Sequence, residues 1–266
     1  MPELPEVEII TRELKVSLPG EKIIDYEVKW YKTLEIKDEF PLIGRKIKGL
    51  YRKGKYIIFI LDQGFLVAHL RMTGKFIINN SNRYLPDHLQ VIFHLSSKKN
   101  LLYYDIRKFG RILVTNNVDS ILKNVGPDFL SPEFTIDIFS TYLRSGKKKL
   151  KSFLLNQKYF SGLGNIYTDE SLFEAKLHPA TITDNLSVED IRRLYNAILE
   201  TLWKAIDHKG TTIANYKTTE NHNGENQNYL SVYQREHKPC FQCGDIIQRI
   251  KINNRSSYFC PGCQKM

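Results

Sequence analysis

The stretch Ile23-Ile24-Asp25-Tyr26-Glu27-Val28-Lys29-Trp30 is where the hydrophobic period of this chain changes. Before it, Val7, Ile10 and Leu14 recur at helical spacing, Ile9 and Val16 widen the face, and Pro19-Gly20 stops the pattern. That predicts one amphipathic helix of about three turns. From Ile23 onward the chain reads in short strands. Tyr56 to Leu61, Phe65 to Leu70, Lys75 to Ile78, Leu89 to Leu95, Asn100 to Tyr104 and Arg111 to Val114 follow it, each bounded by turn residues. Seven or eight short strands with few helices between them specify an antiparallel sandwich or flattened barrel, with the first helix packed at its edge. That domain is expected to end near Gly126-Pro127-Asp128.

Past Ser131-Pro132 the helical period returns. Phe134 to Leu143 reads as one helix, and Lys147-Lys148-Lys149-Leu150-Lys151 leads into a second over Ser152 to Asn156. Gly162-Leu163-Gly164-Asn165 is a glycine turn entering a third helix that His178-Pro179 closes, and Ser187 opens a fourth through Trp203. Residues 210–238 are polar and aperiodic, which predicts a mobile connecting loop.

All four cysteines lie in the last 27 residues, as Cys240-x2-Cys243, sixteen residues, then Cys260-x2-Cys263. This is the spacing of a tetrahedral four-thiolate zinc site. Two disulfides are the competing reading, and a reducing cytosol disfavours them. Between the pairs, Ile246 to Ile252 alternates like a strand, Asn253-Asn254 is a turn, and Ser256 to Phe259 runs back. Arg255 falls at or near the tip of that ribbon, a suitable mount for a bidentate phosphate contact.

The net charge of +10 and a pI near 9.3 call for a polyanionic partner, with nucleic acid ahead of an anionic membrane surface. No apolar run reaches the ~18 residues of a membrane span, so neither a spanning helix nor a signal peptide is expected, and the cytosol or nucleoid is the expected compartment.

The first eight residues, Met1-Pro2-Glu3-Leu4-Pro5-Glu6-Val7-Glu8, are the richest in chemistry. Removal of Met1 would leave Pro2 as a free secondary amine. An α-amino group titrates near ~8, against ~10.4 for lysine, so part of it is nucleophilic at neutral pH. Attack on a sugar aldehyde carbon gives a cationic iminium that acidifies the neighbouring C–H. Glu3 and Glu6 stand beside it as acid/base partners. Pro5 and the two glutamates are equally ordinary helix-start residues, and a helix here would fix the amine in space.

Four turns offer further candidates. Tyr51-Arg52-Lys53-Gly54-Lys55-Tyr56 presents Lys55 to a phosphate, and His69-Leu70-Arg71-Met72-Thr73-Gly74 presents Met72 at a loop tip. Asp105-Ile106-Arg107-Lys108-Phe109-Gly110-Arg111 offers Arg107 and Phe109 on one side of an extended loop, an apolar wedge beside a cation. The turn before Asn165 exposes backbone N–H groups to a phosphate. Taken singly, Lys55, Met72, Asn165 and Arg255 each have a plain alternative: a solvated basic turn, a core methionine, a helix N-cap, a surface arginine.

Taken together, MPELPEVE, RKGKY, HLRMTG, DIRKFGR, GLGNIYTDE and the ribbon ending RSSYFCPGCQ run through the whole chain in one order. The set resembles the formamidopyrimidine-DNA glycosylase family. The resemblance implies a multi-domain α+β protein: an N-terminal antiparallel β-sandwich with an N-terminal helix over 1–126, a helix-two-turns-helix DNA-binding domain over 131–220, and a zinc-ribbon β-hairpin over 233–266. It implies a monomer acting on double-stranded DNA that carries oxidised bases or abasic sites. Oxidised purines would be removed through an N-terminal proline Schiff base and the strand cut by β,δ-elimination. Pro2 would attack C1′, Glu3 would assist ring opening, and Glu6 would support the site. Lys55, Asn165 and Arg255 would hold phosphates, Met72, Arg107 and Phe109 would fill the duplex gap, and His69 would lie at the DNA surface. Cys240, Cys243, Cys260 and Cys263 would hold one structural zinc. The opening PELPEVE resembles this branch more than the endonuclease VIII branch for oxidised pyrimidines. A non-catalytic damaged-DNA-binding zinc protein is the alternative of another class. Three features depart from the family's pattern: Val232 to Cys240, which lacks its glycines, Thr218 to Asn228, rich in Asn and Glu, and Asn156, where the family usually has an Asp.

Overall fold

The computed structural model describes residues 1–37, 40–79 and 87–266. The chain divides into two compact units, Met1–Lys123 with His208–Gln227, and Asn124–Asp207 with Asn228–Met266. The sequence segmentation assigns 208–220 to the helical domain, whereas the contacts group His208–Gln227 with the first unit.

In the first unit, helix α1 (Leu4–Ser17) is followed, among the described residues, by nine strands: β1 (Ile23–Val28), β2 (Leu34–Ile36), β3 (Ile47–Lys53), β4 (Tyr56–Leu61), β5 (Phe65–His69), β6 (Lys75–Asn79), β7 (Leu89–Leu95), β8 (Asn100–Tyr104) and β9 (Arg111–Thr115). They form a four-stranded sheet, β1-β7-β8-β6, and a five-stranded sheet, β2-β9-β5-β4-β3. Every pairing is antiparallel except β2 with β9. The inner faces meet in one core that includes Phe59, Leu66, Phe76, Phe93, Leu101, Tyr103 and Val114, closed at one side by Val7, Ile10 and Leu14 of α1. Strand β8 is buried on both faces: Leu101 and Tyr103 join that core, while Leu102 and Tyr104 pack with Ile92 in a second cluster. Short helix α2 (Val118–Leu122) follows β9.

The second unit holds α3 (Ile136–Arg144), α4 (Leu150–Leu154), α5 (Asn165–Glu174) and α6 (Val188–Asp207), then the ribbon strands β10 (Gln248–Ile252) and β11 (Arg255–Phe259). Its centre is aromatic. Phe129, Phe134, Phe139 and Phe160 lie 5.0–6.2 Å apart, in edge-to-face and tilted pairs, and Phe153 stacks on Tyr159 at 4.5 Å. Such offset and edge contacts add to the area that large rings bury.

Three expectations are corrected. Residues 210–238 are not a mobile loop. Tyr216 is buried in the core of the first unit, and the backbone N–H groups of Thr211 and Thr219 donate to Glu6 and Glu13 of α1 at 2.8 and 2.7 Å. Arg107 and Phe109 lie on a tight turn, not an extended loop, with Lys108 at φ +57°. The cap of α5 is Gly164, so Asn165 is the first helical residue and not the N-cap.

Candidate active site and metal centre

At the start of α1, Glu3 is the N-cap and Glu6 occupies the third helical position, so the two form a capping box. Glu6 Oε2 accepts from the Glu3 backbone at 2.8 Å and its Oε1 accepts from the Thr211 backbone at 2.8 Å. Pro2, Glu3 and Glu6 are all buried. A carboxylate this deep persists because backbone donors and the positive helix end stabilise its charge. Residue 2 is thereby fixed beside two carboxylates.

Lys53 of β3 pairs with Tyr56 of β4, so Gly54-Lys55 is a two-residue turn, with Gly54 at φ +56°. Lys55 is buried rather than solvated. His69, at the end of β5, packs edge-on against Tyr56 with centroids 4.6 Å apart. Its Nδ1 accepts from the Arg71 backbone at 3.0 Å. Burial, then the charges of Arg71 and Lys55, push its pKa down to about 3. The imidazole is therefore neutral at physiological pH, and Nε2 carries its one proton.

The turns that carry Met72 and the Arg107–Phe109 pair are organised by one carboxylate that sequence reading did not single out. Asp105 is buried and accepts from the Gly110 backbone at 2.6 Å, the Arg107 backbone at 3.2 Å and the Thr73 hydroxyl. Thr73 in turn accepts from the Arg107 backbone at 3.1 Å, so the two turns are tied together. Glycine is required at both: a Cβ on Gly74 or Gly110 would stand 2.2 or 1.7 Å from the Tyr103 hydroxyl. Met72 is 39% and Phe109 50% exposed, large fractions for such side chains, and the Arg107 guanidinium lies over the Phe109 ring at 4.7 Å.

In the second unit, Gln157 closes the turn before α5, accepting from the Gly162 backbone at 3.0 Å and donating to the Leu163 carbonyl at 2.8 Å. Gly162 has φ +109°, a conformation open to glycine. Asn165 follows with its side-chain oxygen buried and without a hydrogen-bond partner among the described residues. Asn253 and Asn254 both have positive φ, at +46° and +60°, as a two-residue primed hairpin turn demands. Arg255 pairs with Ile252 directly after it and is exposed.

A second feature escaped sequence reading. Lys151, the last residue of the basic run, is fully buried against Asp169 at 2.7 Å and donates to the Ser256 carbonyl at 2.6 Å. Asp169 also accepts from the Tyr258 backbone at 3.1 Å. Burial raises the Asp169 carboxyl and the Lys151 ammonium opposes that rise. The pair locks α4 and α5 to the strand that begins with Arg255. Removing one partner strands the other charge: Lys151→Met is expected to cost ~3–5 kcal/mol, read from denaturant midpoints. Adding Asp169→Asn recovers much of that loss, since a neutral amide still accepts from Tyr258.

The four cysteine sulfurs lie within 4.8 Å of one another. Thiolates ~2.3 Å from a tetrahedral zinc stand about 3.8 Å apart. Cys240 and Cys263 are 3.9 Å apart and Cys243 and Cys260 3.4 Å apart, which fits the metal and is far from the ~2.05 Å of a disulfide. The four cysteines fit one structural zinc. All four positions around it are protein sulfurs, so none is left for water or substrate. Gln264 braces the second knuckle, accepting from the Cys260 backbone and donating to the Leu177 carbonyl, both at 2.9 Å.

Comparison with known proteins decides what this assembly belongs to. Residues 1–112 match the formamidopyrimidine-DNA glycosylase N-terminal domain, 125–217 the helix-two-turns-helix domain of the same enzyme, and 238–265 the zinc finger found in that enzyme and in isoleucyl-tRNA synthetase. The chain belongs to the formamidopyrimidine-DNA glycosylase family. The formamidopyrimidine-DNA glycosylase of Protochlamydia amoebophila is 39% identical, and that of Listeria monocytogenes 37%, each over the full length of both chains. A solved complex of a Lactococcus lactis formamidopyrimidine-DNA glycosylase variant with Fapy-dG-containing DNA superposes at TM-score 0.91 and 37% identity, covering 100% of both chains. A second complex of the Lactococcus lactis protein, with DNA containing an abasic site, gives 0.89, covering 99% of this chain and 100% of that one. The fold of this formamidopyrimidine-DNA glycosylase family member is thus the expected one: an antiparallel sandwich, a helix-two-turns-helix domain and a four-cysteine ribbon. Among the described residues no helix is long and apolar enough to cross a membrane.

Proposed function

We propose that this chain is a DNA glycosylase for oxidised purines that also cleaves the resulting abasic strand. The observation that carries the reading is the buried capping box at the head of α1, where Glu6 holds the Glu3 backbone directly after residue 2. Once Met1 is removed, the Pro2 amine attacks C1′ of the damaged nucleotide. The C1′–N bond breaks, and the base leaves with the electron pair and a proton. The amine lone pair then opens the sugar ring to an iminium while Glu3 protonates the ring oxygen. Loss of a C2′ proton expels the 3′ phosphate.

C1′ is out of reach inside a stacked duplex, so the nucleotide must be turned out at a cost of a few kcal/mol. Met72, Phe109 and Arg107 offset that cost by occupying the gap, and the cation–π contact of the last two already holds that pair in shape. Lys55, Asn165 and Arg255 bind phosphates, each from a rigid turn or helix start, and neutral His69 donates from Nε2 at the DNA surface. Residues 1–126 carry the chemistry, 131–220 and the ribbon 233–266 the grip. The net charge of +10 supports a nucleic-acid partner. Zinc supplies shape alone.

Borohydride reduction tests the reading. With an abasic duplex the protein is expected to form a covalent, reduction-trapped adduct and to release 8-oxoguanine and formamidopyrimidines from lesion duplexes. A protein that binds but yields no adduct is a damage-binding protein, and one that prefers oxidised pyrimidines has the other branch's substrate class.

A further inference from the structure

Helix α1 has the candidate nucleophile at its head, and in its second turn it carries Glu8, a carboxylate that the proposed chemistry leaves unused. Glu8 Oε2 accepts from Arg52 Nε at 2.7 Å, and its Oε1 accepts from Arg12 Nε at 2.7 Å, one turn along the same helix. Arg52 stands next to the end of β3 with its side chain only 6% exposed. Its Nη1 donates to the Gly54 carbonyl at 3.0 Å. Burial works against the Glu8 charge, but the Arg52 guanidinium and the two hydrogen bonds outweigh it. The carboxyl is held below its usual range and is ionised at neutral pH.

The bond to Gly54 bears directly on Lys55. The Gly54 carbonyl and the Lys55 N–H belong to one planar peptide unit, so whatever holds that oxygen sets the plane from which the Lys55 side chain departs. Gly54, at φ +56°, has the greatest torsional freedom in this two-residue turn, and a guanidinium on its carbonyl removes that freedom. The linkage runs from Glu8 through Arg52 and the Gly54 carbonyl to Lys55, all within the first unit. A lysine at position 52 would not serve, because one ammonium lacks the rigid fork that reaches a carboxylate from Nε and a carbonyl from Nη1 at once. Since Pro2 precedes the same helix, the bridge also ties the Lys55 turn to the element that presents the amine. Phosphate and C1′ of one nucleotide are a few bonds apart, and an offset of about 1 Å between the groups that meet them costs about 100-fold in rate.

We infer that Glu8 is a positioning residue for the phosphate grip: through Arg52 it sets the Lys55 turn against the head of α1, and it touches neither the substrate nor the reacting atoms. This rests on the glycosylase reading, with Lys55 on a phosphate. The test is a double-mutant cycle over the unmodified protein, Glu8→Ala, Lys55→Ala and the pair. Each is measured for affinity to a duplex with a tetrahydrofuran abasic analogue and for the rate of borohydride trapping on a true abasic duplex. By charge alone, removing a carboxylate from a protein that binds a polyanion tightens binding. Glu8→Ala is instead expected to weaken it about tenfold, the scale of a lost charge-assisted hydrogen bond, and to slow trapping by at least as much. In the Lys55→Ala background the same change is expected to add nothing, because no ammonium is left to place. Glu8→Gln keeps an acceptor for Arg52 and is expected to recover most of both losses. Arg52→Lys, which keeps the charge and breaks the fork, goes through the same cycle with the same loss expected. Tighter or unchanged binding in Glu8→Ala overturns the assignment. So does a loss repeated in full in the Lys55→Ala background, which would place the role of Glu8 in the helix itself. An unmodified protein that binds the analogue but traps no abasic duplex ends the glycosylase reading, while the affinity cycle still decides the role of Glu8.

Discussion

A preparation that keeps Met1 is expected to release no base and to nick no strand, while it binds lesion duplex as well as the trimmed protein does. The nitrogen of Pro2 is then part of an amide. Its lone pair is delocalised into the carbonyl, and a tertiary amide cannot become an iminium without breaking the peptide bond. The effect is absolute, unlike loss of a general acid, which typically costs ~10²–10⁴-fold. Binding survives because the capping box rests on Glu3 and Glu6, and neither Lys55 nor Arg255 depends on residue 1. The measurement is N-terminal mass spectrometry paired with single-turnover assays on the same sample. Full activity from a verified Met1-retaining sample would remove Pro2 from the mechanism. Loss of binding alongside activity would mean that the first residue shapes the fold, and the chemistry would need another nucleophile.

What sequence reading recovered, and what it missed, divides by range. Strands β4, β7 and β8 fall at the expected residues because each is a short apolar run bounded by turn formers. Strand β3 was missed: Ile47–Lys53 mixes Gly, Lys and Arg with its apolar residues, so its basic end read as a turn. Strand β2 is three residues long and is defined by parallel pairing with β9, far along the chain. Residues 210–238 read as mobile in the sequence for the same kind of reason. Their order comes from carboxylates 205 and 206 positions away, and no local pattern encodes them. Lys151 sits in a run of lysines that predicts solvation, and only the fold shows it buried on Asp169. The candidate site was legible where chemistry is local: Pro2 with Glu3 and Glu6, the glycine turns, the paired cysteines. Asp105, which ties the Met72 turn to the Arg107–Phe109 turn, bonds Thr73 from 32 residues away and carries no local signal.

Replacing Cys240 or Cys263 by Ser is expected to lose the zinc, unfold the ribbon and weaken DNA binding in step with metal content. A zinc held by four thiolates is worth ~10–16 kcal/mol of folding free energy in small peptides. The ribbon has little to set against that loss. Its buried cluster is Phe173, Val232, Ile247 and two of the metal ligands themselves, Cys240 and Cys260. Five cross-strand residue pairs alone do not hold a two-stranded hairpin in water. Arg255 would then lose its mount. The damage is also expected to pass inward, because β11 supplies the Ser256 carbonyl and the Tyr258 N–H that satisfy the buried Lys151 and Asp169. Without them two buried charges each lose a hydrogen-bond partner, so α4 and α5 loosen as well. The sandwich has its own core and should stay folded. Metal analysis, proteolysis mapped along the chain and duplex affinity before and after chelation follow these steps, and added zinc should reverse chelation. Native protein that contains no zinc, with its cysteines oxidised in pairs, would replace the metal centre with disulfides.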